Sequence, residues 1–277
     1  MTVHEQVEER PPAPGDAAEG PRTSELEGRV ALLVGAGAIG ASIAAALDTA
    51  GAEVVIADVD MERAEAVAES TRSRSAVSLD LTSAQGCQSV VDDITARFGR
   101  LDIVVGSAGV QYVAPIHELP PEQWERILRV NLTGPFLLMR AVLPVMYRAR
   151  WGRIVNIASA FALVGVANKP AYAASKHGLI GLTKVAALEA APFGVTVNTV
   201  CPAWVRTPLV LGQVADLART RGIPESEVES QVMLGPMPIH RFIETSEVAK
   251  AIRFLCLPSS GAITGTALVI DGGWSIA

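Results

Sequence analysis

Short, nearly uniform apolar runs alternate along the chain with longer stretches whose apolar side chains recur every three or four positions. The short runs predict strands at 29–34 (RVALLV), 53–58 (EVVIAD), 76–80 (AVSLD), 102–106 (DIVVG), 153–158 (RIVNIA), 195–200 (VTVNTV) and 267–271 (ALVID). The longer stretches predict helices at about 39–50, 61–71, 83–98, 121–148, 172–191 and 246–257. Strands that are apolar on both faces suit a parallel sheet covered on both sides, and sustained strand–helix alternation predicts a doubly wound α/β domain. No shift in composition divides the body, so residues 26–277 read as one domain with a seven-stranded, mostly parallel sheet. Only 207–240 (TPLVLGQVADLARTRGIPESEVESQVMLGPMPIH) interrupts the alternation, and it reads as a short helical lid.

Composition refines this picture at the N-terminus. The net charge is −6. Six acids against two bases within the first 25 residues account for four of those charges and leave −2 for the remainder. Residues 1–25, rich in Pro, Gly and acids, read as a disordered tail or as an arm for a partner subunit, not as a secretory or mitochondrial leader. The near-neutral body excludes a basic nucleic-acid footprint. The uncharged stretch 30–47 reads as strand, glycine turn and buried helix, not as a membrane span. Cys87, Cys201 and Cys256 are widely spaced and odd in number, which suits reduced thiols in a cytoplasmic protein; no Cys/His spacing suggests a metal.

The first strand runs into GAGAIG, with Gly35, Gly37, Ile39 and Gly40 opening the next helix. Glycines there let the backbone approach a pyrophosphate, and the helix N-terminus offers it free amides. Asp58 ends the next strand, where an acid binds ribose hydroxyls and repels a 2′-phosphate; this predicts NAD, in a Rossmann-type unit. Downstream, Tyr172 and Lys176 are four residues apart and share a helical face. A neighbouring ammonium is expected to lower the phenol pKa from about 10 and make Tyr172 a general acid/base. Ser159, at the end of the preceding strand, is placed to bind the oxygen of an alcohol or ketone.

With these residues together, the chain resembles the short-chain dehydrogenases/reductases over about residues 26–277. The resemblance implies a catalytic set of Ser159, Tyr172, Lys176 and Asn131, with Asn131 holding a water that passes the proton on. It implies Asp80 and Leu81 beside the adenine, Ser107 and Gly109 on the loop after the fourth strand, and Pro202, Val205 and Thr207 near the nicotinamide, where Tyr172 and Lys176 also meet the cofactor. A homotetramer is implied as well. The glycine loop is one residue shorter than the family pattern, which implies weaker cofactor binding. Gly106 and Ser107 stand for two asparagines and Ala203 for a glycine.

Within the family, 109–132, 156–189, 201–213 and 263–274 are similar to the 3-hydroxybutyrate dehydrogenase branch. That likeness implies a carboxylate held by Gln111, Lys169 and Gln213, with Trp204 and Trp274 at the pocket. Ser159 and Tyr172 would meet the substrate oxygen. Phe161 replaces a histidine, implying a longer or less polar substrate. A short 3-hydroxy acid is the first reading. A bulkier or cyclic alcohol of secondary metabolism is the second. A dehydrogenase-fold binding or regulatory subunit with weak turnover is the third.

Overall fold

A computed structural model describes residues 24–277; the tail predicted for 1–25 lies almost wholly outside the described residues. The strands are β1 (Val30–Val34), β2 (Glu53–Asp58), β3 (Ser75–Ser78), β4 (Ile103–Gly106), β5 (Gly152–Ile157), β6 (Val195–Pro202) and β7 (Ala267–Ile270). All neighbours pair in parallel in the order β3-β2-β1-β4-β5-β6-β7. The order reverses between β1 and β4, so the loops leaving their C-terminal ends part to form a crevice.

The helices are α1 (Ala38–Thr49), α2 (Met61–Ala68), α3 (Ala84–Phe98), α4 (Pro121–Leu128), α5 (Gly134–Ala149), α6 (Pro170–Ala190), α7 (Pro208–Leu211), α8 (Val214–Arg221), α9 (Glu225–Val228) and α10 (Thr245–Cys256). Ile43 and Leu47 of α1 and Val248 and Ile252 of α10 pack with Leu33 and Ile56 on one face of the sheet. Val90 and Ile94 of α3, Leu138 and Val142 of α5 and Ala187 of α6 cover the other face. Local signals set the ends. Asp60 accepts the Arg63 amide to start α2, Ser83 accepts that of Gly86 to start α3, and Gly99 closes α3 at φ 73°.

The helix predicted over 121–148 forms as one run with a change of pitch inside it. Between α4 and α5 the chain makes one π-turn, Arg129–Thr133. Pro135, just beyond, has no N–H to give the α ladder, and a wider turn absorbs the mismatch. That turn carries Asn131, which is fully buried. The continuous run Pro121–Ala149 is long and apolar enough to cross a bilayer, but Leu138, Met139, Val142 and Met146 are spent on the sheet. The predicted lid forms as α7, α8, α9 and a second π-turn, Glu229–Leu234.

Candidate active site

Along the C-terminal ends of β1, β2 and β4 runs a cavity of about 830 Å³. Gly35, Gly37 and Ile39 line its middle, Asp58, Asp80 and Leu81 one end, and Ser107, Gly109 and Thr207 the other. Gly35 has φ 106°, and a Cβ on it would sit 2.4 Å from the Ala108 amide nitrogen; only glycine lets the loops after β1 and β4 touch. Gly40 stays outside the cavity: a Cβ there would lie 2.0 Å from the Gly35 carbonyl oxygen, so it seats α1 against the turn. Gly37 differs. A Cβ on it would meet nothing within 4 Å, because the residue faces the open cavity.

Gly37 caps α1 with no side-chain hydrogen bond, leaving the first helical amides for a ligand. The Ala36 amide is already used: it donates to Asp58 Oδ2 at 2.7 Å. Asp58 Oδ1 accepts the Asp60 amide at 3.0 Å. The acid thus clamps the short glycine loop while bordering the cavity. Two cations in the cavity wall, Arg63 and Arg126, escaped the sequence reading; each sits on an amphipathic helix where a solvated arginine is the ordinary expectation.

Pro170 opens α6, which brings Tyr172 and Lys176 onto one face. Lys176 Nζ donates to the Ile157 carbonyl at 2.7 Å and lies 5.7 Å from the Tyr172 ring centre. Burial lowers Lys176 to about 8. The expected lowering of Tyr172 is not what this arrangement gives. Burial pushes the phenol up, the Ser159 hydroxyl beside it only partly offsets this, and the lysine is engaged by the backbone. Ser159 Oγ accepts the Phe161 amide at 3.2 Å and donates to the Pro202 carbonyl at 3.4 Å.

The Asn131 side chain is engaged by the protein itself. Its side chain accepts from the Val110 amide and donates to the Val110 carbonyl, both at 2.9 Å, and donates to Ser175 Oγ at 3.3 Å. Both amide hydrogens are therefore committed to protein. The side chain pins the loop after β4 to the helix that bears Tyr172. Pro202 ends β6 against Ser159, Val205 is buried in a bridge to Ile243, and Thr207 caps α7.

Lys169 precedes α6 and is only 2% exposed. Its Nζ donates to Gln213 Oε1 at 2.7 Å and stands 4.4 Å from the Trp204 ring centre and 4.9 Å from that of Phe161. Gln213 in turn donates to the Leu209 carbonyl at 2.8 Å. Phe161 packs edge-on against Trp204 at 5.4 Å, Trp274 at 5.0 Å and Tyr172 at 6.5 Å. Burial drives Lys169 down from 10.5 to about 7, and no carboxylate pairs with it among the described residues. Phe161 and Trp204 thus cage the Lys169 ammonium beside Tyr172, with Gln213 bonded to it and Trp274 packed behind Phe161. Gln111 is half-buried on the loop after β4 and forms no side-chain hydrogen bond among the described residues.

A family profile described as enoyl-(acyl carrier protein) reductase matches residues 35–275. The chain is 47% identical over 196 residues to a D-beta-hydroxybutyrate dehydrogenase of Rhizobium meliloti, covering 71% of this chain and 76% of that protein. It is 39% identical over 254 residues to a D-beta-hydroxybutyrate dehydrogenase of Cupriavidus necator, covering 90% and 98%. The crystal structure of levodione reductase superposes with a TM-score of 0.84 at 29% identity, covering 91% of this chain and 99% of that one. The chain belongs to the short-chain dehydrogenase/reductase family. It is an oxidoreductase of that family acting on secondary alcohols, with a nicotinamide dinucleotide as cofactor.

Proposed function

We propose that this protein is an NAD-dependent dehydrogenase of 3-hydroxy acids, 3-hydroxybutyrate or a near relative, working as a cytoplasmic homotetramer. The observation that carries the substrate class is Lys169. A cation with no counter-ion among the described residues, in a nearly dry cage, is costly to keep, and a substrate carboxylate would supply the missing charge. Asp58 at the cavity end carries the cofactor choice, because a 2′-phosphate there would face its carboxylate. The half-exposed edge strand β7 and the exposed Ile276 support a subunit contact.

A bound nicotinamide would accept the hydride that leaves the carbinol carbon. Tyr172 takes the alcohol proton, Ser159 orients the oxygen, Lys176 lies beneath the tyrosine ring and is anchored by the Ile157 carbonyl, and Asn131 holds the loop that borders both cofactor cavity and α6. The cage holds the acid end of the substrate. Phe161 gives that cage an apolar wall with no hydrogen bond to offer, which favours a less polar, bulkier or cyclic alcohol of secondary metabolism as the second reading.

Titration by fluorescence is expected to show NADH binding at least about tenfold tighter than NADPH, followed by oxidation of D-3-hydroxybutyrate with NAD. Failure to bind either nucleotide would sink the dehydrogenase reading and favour a binding subunit. NADH binding without turnover of any hydroxy acid would sink the substrate class alone.

The glycines separate fold from cofactor contact. Gly37→Ala is expected to keep the parent Tm and lose about tenfold or more in NADH affinity, since its methyl group would enter the cavity. Gly35→Ala is expected to lower stability by about 2 kcal/mol or more, through a forced positive φ and a backbone clash. Equal NADH affinity in Gly37→Ala and the parent would place the pyrophosphate elsewhere.

A further inference from the structure

Trp204 follows β6 and is 4% exposed. Its indole N–H is buried and meets no acceptor among the described residues. Such a donor is a standing cost unless something else accepts from it. The same side chain lies against Lys169, whose Nζ stands over the indole face at 4.4 Å. Lys169 has given only one of its three hydrogens, to Gln213. Across the cage stands Phe161, which has no polar atom to offer. One indole side chain thus carries an unfilled donor at its edge and a partly filled charged donor over its face, with no further acceptor for either among the described residues.

The geometry narrows what could fill it. The ammonium sits above the indole ring, and the N–H leaves in the plane of the ring. The two donors are close but not parallel. A single-point acceptor suits that arrangement poorly; a carboxylate, with two oxygens and no hydrogens, can take one donor on each. We infer that the Trp204 indole N–H donates a hydrogen bond to the substrate carboxylate beside the Lys169 ammonium, and that it selects hydroxy acids over neutral alcohols of the same shape. The inference rests on the reading of the cage as the seat of that carboxylate. Gln213, at the start of α8, takes one Lys169 hydrogen and leaves two for the acid.

The test replaces the N–H without replacing the ring. 3-Benzothienylalanine at position 204 keeps the fused bicycle and puts sulfur where the N–H was; Trp204→Phe is the simpler companion. For the parent and both variants, kcat and KM are measured on D-3-hydroxybutyrate and on its methyl ester, together with NADH binding. The expected result is a loss of about tenfold or more in kcat/KM on the acid, carried by KM, with the ester and NADH affinity unchanged in the benzothienyl protein. Adding Phe161→His to it, which returns a donor to the cage, is expected to recover part of the loss. A benzothienyl protein that keeps the parent's preference for the acid overturns the role of the N–H and leaves the carboxylate reading standing. An equal fall on acid and ester overturns it too, since the ring alone then matters. A parent that takes the ester as well as the acid, or takes neither, overturns both the inference and the reading beneath it.

Discussion

Tyr172→Phe is expected to lower kcat by at least about 10³-fold while NADH binds as in the parent. The phenyl ring keeps the edge contact with Phe161 at 6.5 Å, so the change removes the hydroxyl and little else. Tm should stay within about 2 °C of the parent's, which separates lost chemistry from lost fold. The parent's pH profile carries a sign. Burial holds the phenol above its ordinary pKa, so the proton acceptor that oxidation needs becomes more abundant as pH rises above neutral. Oxidation of the alcohol should therefore accelerate with pH, while ketone reduction, which needs the proton, should slow. A flat profile in both directions, or a Tyr172→Phe protein that retains a tenth of the parent rate, would remove Tyr172 from the proton transfer.

The second large effect concerns Lys169→Met. On the hydroxy acid, KM is expected to rise about 100-fold, the scale set by losing one charge-assisted contact in a desolvated site. Stability should move the other way. In the folded protein Lys169 holds its proton only up to about pH 7, against 10.5 when exposed. Between those values the unfolded chain binds more protons, so parent stability rises with pH across that window. Below pH 7 the full cost of the buried charge is present. Removing the ammonium removes that cost, and the variant should melt about 5 °C or more above the parent at pH 6, with the gap closing towards pH 10. For the parent, KM on the acid should climb above pH 7, as the ammonium that meets the carboxylate loses its proton. A variant that melts lower at pH 6 and keeps its KM would show that the lysine serves packing and not the substrate.

The sheet was readable because its strands are buried on both faces and so appear as unbroken apolar runs; β1, VALLV, has no polar position at all. The order of the catalytic residues along the chain was equally open, since a four-residue spacing on a helix fixes a shared face. What escaped the sequence depends on contacts across long separations. Lys169 and Gln213 are 44 residues apart, and nothing local says that one accepts from the other. Asn131 was found, but its grip on Val110 was not, because that grip depends on a π-turn. Hydrophobic periodicity passes over one inserted residue per turn, and only Pro135 marked the change of pitch. Gln111 rests at the substrate on likeness alone, since no side-chain hydrogen bond among the described residues ties it there. The lowering of the Tyr172 pKa assumed a lysine free to face the phenol, whereas the Ile157 carbonyl takes that ammonium.

The clamp between Asp58 and the Ala36 amide also limits how this enzyme could be re-engineered. Exchanging Asp58 for a small neutral residue is the obvious way to admit a 2′-phosphate. Here the same exchange would strip a buried loop amide of its acceptor, at about 1–3 kcal/mol. On the NAD reading proposed above, cofactor preference and loop integrity fall to one side chain. A useful switch would have to leave an oxygen at that point, as Asp58→Asn does, and rely on the nearby Arg63 to receive the added phosphate.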